Sequence, residues 1–306
     1  MPRSPSTRKA SSRNRHRKSL HMGNIRAMHP RLGLNLHRNH WPTAHALKAH
    51  EAAGFAWVQV HTPPSPMLCG RERTRLHARA LRRVLDTTGL QLILHAPDDL
   101  TAGAPKQDRA FEGLLDYAAE ARAELIVVHA LNIPLGDRDR AAAEEQSLHR
   151  LTARARALDL TLALENLAPV YPASPRICHD PLAVRDLVRR LGSPAAGMLF
   201  DIGHAHITGK VDTLKRCAGD IVLFHVHDNL GARLNGLEAP GVDPLRLDLH
   251  LAPGAGSLPW HRVAPLLEHH EAPLMLEIEP SHRPGLVTLA ELAADLLRPV
   301  PVGAAA

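Results

Sequence analysis

The chain has few cysteines and no long apolar run, and both absences limit what it can be. Its three cysteines are scattered over 306 residues without a CxxC pair. This argues against a disulfide framework and a cysteine metal site, and it favours a reducing compartment, which we take to be the cytoplasm. No stretch of 18 or more apolar residues occurs, so we expect no membrane span. With 44% hydrophobic residues, the chain can still bury a full core.

Acidic residues are missing from the first 30 positions, which hold eight Arg or Lys. Removing these eight from the total of 37 leaves 29 basic side chains against 31 acidic ones, so the rest of the chain is near neutral. We interpret residues 1–30 as a basic disordered tail. The alternatives are a nucleic-acid-binding arm, a targeting segment, or a true start at Met22 or Met28. No apolar core follows the basic residues, as a secretory signal would require.

Eight short apolar runs alternate with amphipathic segments along the remaining chain. The runs cover residues 31–37, 55–61, 90–97, 124–130, 160–167, 196–205, 221–229 and 273–280. A doubly wound sheet would need a Gly-rich phosphate-binding turn after its first strand, and none is present. We therefore predict an α/β fold, a single (β/α)8 TIM barrel over residues 31–298, with a C-terminal tail at 299–306.

Each predicted strand ends in a polar side chain that could bind a metal. These side chains are His37, His61, His95, His129, Glu165, Asp201, His225 with His227, and Glu277 with Glu279. The C-terminal edges of all eight strands meet at one mouth of a barrel, where active sites are built. The sequence therefore predicts that imidazoles and carboxylates converge on one pocket.

Two loops add potential ligands at short spacings. In DIGHAH, His204 follows Asp201 by three residues, and Gly203 would allow a tight turn at the strand end. In DLHLAPGAG, Asp248 and His250 would share one face of an extended segment. Histidine and carboxylate ligands without thiolates suit Zn, Mn, Fe or Co. The potential ligands outnumber those that one ion can use, so they would hold two or three ions, or one ion beside a substrate-binding shell. We therefore expect one to three divalent ions, with Zn or Mn as the preferred metals.

The ordered motifs LHAP, VVHA, LENL, DIGHAH, HVHDN, DLHLAPGAG and LEIEP resemble the xylose isomerase-like TIM-barrel superfamily over residues 31–298. That superfamily includes sugar phosphate isomerases and epimerases and also endonuclease IV (AP endonuclease family 2). The resemblance to the isomerase branch implies one metal held by Glu165, Asp201, His225 (or His227) and Glu277, with both glutamates as the catalytic acid/base pair. The resemblance to endonuclease IV implies three zinc ions held by nine residues. These are His95, His129, Glu165, Asp201, His204, His225, Asp248, His250 and Glu277.

Two features of the sequence favour the isomerase branch. The chain has HDN where endonuclease IV has an Asn-Asp-Ser run, and its near-neutral body does not suit a duplex binder. We therefore expect a metal-dependent isomerase or epimerase acting on a small sugar or phosphorylated substrate. A zinc phosphoesterase acting on a small phosphodiester or abasic DNA is the alternative, and a non-catalytic binding protein is a third.

Four further residues are predicted to contact substrate: His37, His61, His227 and Trp260. For His37 and His61, a structural role is the alternative. For Trp260, packing under the last helix is the alternative to lining the pocket mouth. His225 is expected to be the ligand of the HVHDN motif, while Asp228, on the opposite face of the strand, would orient a neighbour or cap the turn. We also expect that the protein can form a homo-oligomer and that nucleic acid could bind through the basic tail.

Overall fold

The computed structural model describes residues 29–38, 40–169, 174–232 and 247–298. Eight parallel strands pair in sequence order, and β8 closes the barrel against β1. The strands are β1 His29–Asn35, β2 Phe55–His61, β3 Gln91–His95, β4 Leu125–Val128, β5 Thr161–Glu165, β6 Ala196–Asp201, β7 Ile221–Val226 and β8 Leu274–Leu276. The predicted TIM barrel is confirmed, and each strand overlaps its predicted run.

The helices of the described residues connect the strands on the outside of the barrel. They are α1 Ala44–Ala53, α2 Ser65–Leu68, α3 Arg71–Leu85, α4 Pro105–Ala121, α5 Arg138–Ala157, α6 Pro181–Leu191, α7 Ile202–Ile207, α8 Leu214–Cys217, α9 Trp260–Glu268 and α10 Leu286–Asp295. None of these helices is long and apolar enough to cross a membrane.

Local sequence signals explain where these helices begin and end. The carboxylate of Asp180 accepts a hydrogen bond from the Leu182 amide, Pro181 opens the first turn of α6, and Gly192 ends it in the left-handed conformation. In α3, the buried residues Thr74, Ala78, Leu81 and Leu85 recur every three or four positions. This spacing gives the helix one apolar face toward the sheet, while its arginines face solvent.

Alternation along the strands determines what fills the barrel. Apolar side chains such as Trp57, Ile93 and Met275 form a buried cluster inside it. Gly33 makes room for this cluster, because a β-carbon at that position would lie 2.5 Å from the Met275 methyl group and 2.8 Å from the Trp57 β-carbon. Since side chains two residues apart share a face, the next inward positions carry polar groups toward the mouth.

The predicted tails can be located only in part. β1 begins at His29, two residues before the predicted start of the barrel. The remainder of the basic tail, residues 1–28, and the C-terminal segment 299–306 lie outside the described residues.

Candidate functional site

The inward polar side chains surround a cavity of about 560 Å³ at the C-terminal ends of the strands. The predicted site residues that line it are His37, His61, His95, His129, Glu165, His204, Asp248, His250, Glu277 and Glu279. Asp201, His225 and His227 lie beneath them and are fully buried. The structure therefore brings the predicted ligands together at one mouth, as parallel strand ends require.

One group of four potential ligands forms the floor of this site: Glu165, Asp201, His225 and Glu277. Nδ1 of His225 lies 3.0 Å from a Glu165 oxygen, 3.3 Å from a Glu277 oxygen and 3.6 Å from an Asp201 oxygen. All four side chains are buried. Three carboxylates and one imidazole around a common centre are a suitable donor set for a divalent cation.

Gln59, on β2, orients the histidine of this group and was not predicted. Its amide oxygen lies 2.9 Å from Nε2 of His225, and its amide nitrogen donates to Glu277. When the ring is neutral, Nε2 of His225 therefore carries the proton, which leaves Nδ1 as the electron-pair donor toward the centre. Gln59 is fully buried, and its only sequence signal is a lone amide inside the apolar run FAWVQVH.

A second group joins His95 and His129 to Glu165. Nε2 of His129 lies 3.2 Å from Oε2 of Glu165, and Nε2 of His95 lies 3.7 Å from the same atom. This oxygen is buried and accepts no hydrogen bond from the described residues. Glu165 thus offers one oxygen to each of two adjacent groups, as a bridging carboxylate would.

A third group combines His204, His227, Asp248 and His250. An Asp248 oxygen lies 2.8 Å from Nε2 of His250 and 3.2 Å from Nε2 of His204. His250 adopts a left-handed backbone with φ of 49°, so the DLHL segment is not extended as predicted. The short spacing nevertheless brings Asp248 and His250 to the same centre.

His227 is buried beneath the cavity, whereas we predicted that it would contact substrate. Its ring is fully buried, stacks on His250 at 4.2 Å between centroids, and lies 3.1 Å from an Asp201 oxygen. Gly203 permits this position, because a β-carbon there would lie 2.1 Å from the ring. The glycine therefore provides a close approach within α7, whereas we expected a tight turn.

Asp201 also acts as the N-cap of α7. Its side chain accepts a hydrogen bond of 2.7 Å from the amide of His204, three residues later. This cap explains why the DIGH spacing places Asp201 and His204 on the same side of the mouth.

A fourth, more exposed group consists of His61, His95 and Asp98. His61 stacks on His95 with 4.6 Å between ring centroids. Burial, followed by the neighbouring His95 and Arg38, lowers the pKa of His61 to about 2. Asp98 pairs with Arg38 at 2.8 Å and was not singled out in the sequence.

Three histidines of these groups are held in the tautomer that a metal site needs. Nδ1 of His95, His204 and His250 each donates to a backbone carbonyl, at 2.7, 2.9 and 2.8 Å respectively. Each ring therefore presents an unprotonated Nε2 to its group when it is neutral. Such hydrogen bonds to the remote nitrogen orient metal-ligating histidines in proteins. The residues present thus fit a divalent metal centre.

The electrostatics of the site are those of closely packed ligands. Burial opposes ionisation throughout, but Glu277 and Glu165 raise the pKa of His225 to about 10, and Asp248 raises that of His250 to about 9. Burial is likewise outweighed at Glu165, whose pKa His225 and His129 hold well below its usual range. A bound cation would replace the protons on these imidazoles, because metal and proton compete for the same electron pair.

Asp228 organises the loop that leads from His250 to Trp260, in keeping with its predicted role of orienting a neighbour or capping a turn. One carboxylate oxygen accepts from the amides of Asn229 and Leu258, at 2.8 and 3.1 Å. The other accepts from the Gly254 amide at 3.0 Å and from the indole of Trp260 at 2.9 Å. Trp260 packs against the core and is not among the described residues that line the cavity. Trp260 therefore packs against the core and bonds to Asp228, which favours the packing alternative over a role at the pocket mouth.

The closed barrel and its histidine- and carboxylate-lined mouth place the chain among TIM-barrel proteins that could hold divalent metals. The profile of the family described as xylose isomerase-like TIM barrel matches residues 47–299, and the chain belongs to this family. The resemblance drawn from the sequence motifs is thereby confirmed. No match was found among curated proteins.

Several solved structures share the fold. A 3-keto-D-glucoside 4-epimerase from E. coli (YcjR) is 14% identical with a TM-score of 0.65, covering 87% of this chain and 98% of its own. An AP endonuclease, family 2, from Brucella melitensis is 17% identical with a TM-score of 0.65, covering 87% and 99%. The TTHB071 protein from Thermus thermophilus, soaked with ZnCl2, is 24% identical with a TM-score of 0.60, covering 87% and 98%.

Proposed function

We propose that the protein is a divalent-metal-dependent isomerase or epimerase that acts on a small sugar or sugar phosphate. The observation that carries this proposal is the buried four-ligand group beneath a cavity of about 560 Å³, a volume suited to a small molecule. The epimerase among the structural neighbours agrees with it. A metal held by Glu165, Asp201, His225 and Glu277 would supply Lewis-acid polarisation of adjacent substrate oxygens.

The two glutamates are the groups that we propose to move the proton. They lie on β5 and immediately after β8, three strands apart, and both contact His225. The Oε2 oxygen of Glu165 is buried and accepts no hydrogen bond from the described residues, so it is open to accept a proton. Gln59 fixes Glu277 by donating to it. One carboxylate would remove a proton from a substrate carbon, and the other would return one to the opposite face or to the neighbouring carbon.

Deuterium exchange tests this reaction directly. Metal-free protein is reloaded with Mn, Co, Zn or Mg and incubated in D2O with a panel of aldoses, ketoses and their phosphates, and the carbon-bound protons are followed by NMR. We expect exchange at a carbon next to a carbonyl, and its loss in Glu277→Gln. Arg75→Gln, on the outer face of α3, is the matched control that should exchange normally. Absence of exchange across the panel with every metal would refute the proposal.

A multinuclear zinc phosphoesterase is the second candidate, and one observation favours it. The nine residues that would hold three zinc ions fall into three groups, two of which share Glu165. His204 of the third group lies 3.3 Å from an oxygen of Asp201, which joins it to the first. Three ions per chain, together with hydrolysis of bis(p-nitrophenyl) phosphate, would favour this function over isomerisation.

The charge of the cavity argues against duplex DNA as the substrate of that second reaction. Among the described lining residues, the cationic side chains other than histidine are Arg38 and Arg176, and Arg38 is paired with Asp98. A surface that binds the DNA backbone normally carries an excess of basic side chains. We therefore propose that the cavity receives a small substrate in either case.

A further inference from the structure

We propose that Arg176 and His179, at the 3₁₀ turn Ile177–His179, form a subsite for a phosphate monoester group on the substrate. The proposal rests on the proposed function of the cavity, because it assigns the part of the substrate that the metal-binding groups would not hold. Both residues line that cavity. Neither belongs to any of the four groups of potential metal ligands among the described residues.

The charge of Arg176 is not neutralised within the described part of the protein. Its guanidinium donates to the backbone carbonyl of Asn132 at 2.6 Å, and no carboxylate of the described residues lies within ion-pair distance. Arg38, the other arginine among the described lining residues, is paired with Asp98 at 2.8 Å. A half-buried guanidinium that faces a cavity without a carboxylate partner is ready to receive an anion.

His179 supplies a second donor beside this arginine. Its Nδ1 accepts the backbone N–H of Arg176 at 3.2 Å, so the proton of the neutral ring resides on Nε2. Arg176 directly precedes the 3₁₀ turn and His179 ends it, and both side chains line the same cavity. Burial, followed by Arg176 and His204, lowers the pKa of His179, so the ring is neutral near pH 7 and presents a single N–H.

The turn is fixed to the loops that follow two neighbouring strands. The amide of Cys178 donates to the carbonyl of Leu131 at 3.1 Å, and its carbonyl accepts from the amide of Leu167 at 3.0 Å. These two partners follow β4 and β5, which carry His129 and Glu165 at their ends. The subsite is therefore held in place beside the potential metal ligands before any substrate binds, which reduces the entropic cost of binding.

A phosphate monoester suits these donors better than a carboxylate does. Donors remain on the guanidinium after the bond to Asn132, and they can pair with two phosphate oxygens. The third oxygen is then available to the N–H of His179. A carboxylate has only two oxygens and about half the charge, so it could satisfy the arginine but would leave the histidine unpaired.

Equilibrium titration of the metal-loaded protein with glycerol 3-phosphate, glycerate and glycerol tests the proposal. We expect Arg176→Gln to weaken glycerol 3-phosphate binding by about tenfold to a hundredfold, as for loss of a charge-assisted hydrogen bond, with unchanged metal content. Arg176→Lys, which keeps the charge and loses the fork, should fall in between, and His179→Ala should weaken phosphate binding more than glycerate binding. Arg75→Gln should bind like the wild type.

Equal phosphate binding by Arg176→Gln and Arg75→Gln would overturn the subsite. Equal losses of glycerate and glycerol 3-phosphate affinity in His179→Ala would overturn its assignment to phosphate. Failure of the proposed function gives a different result. In that case no sugar exchanges deuterium, while the loss of phosphate affinity in Arg176→Gln persists. If sugars exchange and Arg176→Gln has no effect on phosphate binding, only the subsite is refuted.

Discussion

Replacing Asp228 by asparagine should both destabilise the barrel and weaken the third group of ligands. The buried carboxylate accepts four N–H donors, two on each oxygen, from the loop that runs to Trp260. Its backbone also exchanges two hydrogen bonds with Leu251, directly after His250. The side chain therefore supports the segment that presents two of the four ligands in that group.

The expected cost follows from the geometry of the four bonds. An amide presents one oxygen and one NH2 group, so in either orientation it faces two N–H donors with another donor. Two bonds to a charged acceptor are lost, each worth about 1.5 to 3 kcal/mol, so the free energy of unfolding should fall by roughly 3 to 6 kcal/mol. For a domain of this size the melting temperature should fall on the order of 10 °C.

Chemical denaturation in the presence of a chelator measures this loss without a contribution from bound metal. Trp260→Phe is the graded control, because it removes only the indole donor and should cost about half as much. Zinc titration of the refolded variants should then show weaker binding at the third group in Asp228→Asn. Wild-type stability and zinc binding in Asp228→Asn would refute the reasoning.

Three further predictions concern buried positions. Burial raises the pKa of Glu144 from 4.5 to about 7, so the folded chain favours the neutral acid, and the contribution of this residue to stability should fall by about 3 kcal/mol as the pH rises from roughly 4.5 to above 7. Urea titrations at pH 5 and 8 should show a loss smaller by about that amount in Glu144→Gln than in the wild type. Gly203→Ala should displace the His227 ring, lower the free energy of unfolding by about 1 to 3 kcal/mol and reduce the zinc content. Gly219→Ala is the control: its β-carbon would meet nothing within 4 Å, so stability and zinc content should not change. Gln59→Leu should weaken metal affinity about 10- to 100-fold in a chelator competition, because the ring of His225 loses the hydrogen bond that orients it.

The barrel and most of its ligands could be predicted from sequence because both depend on local rules. Continuous apolar runs indicate buried parallel strands, and the ends of such strands meet at one edge. Glu165 and Asp201 end their strands, and Glu277 directly follows β8, so no long-range information was needed to bring these three together.

The partner of each histidine could not be predicted in the same way. His225 and His227 share a strand face, but they belong to different groups because the loop at Asp248 approaches only one of them. Trp260 follows a glycine turn that folds onto Asp228, a contact between segments 32 residues apart. Such contacts depend on how loops pack, and neither alternation nor spacing along the chain specifies that.

Metal content of the purified protein tests the central claim most directly. The protein is stripped with a chelator, reloaded with zinc or manganese, dialysed and analysed by mass spectrometry beside Asp201→Asn, with Arg75→Gln as the control. The buried four-ligand group predicts at least one tightly held divalent ion per chain in the wild type and the control, and loss of that ion in Asp201→Asn. A wild-type protein that retains no stoichiometric metal, or a variant that retains as much as the wild type, would contradict it.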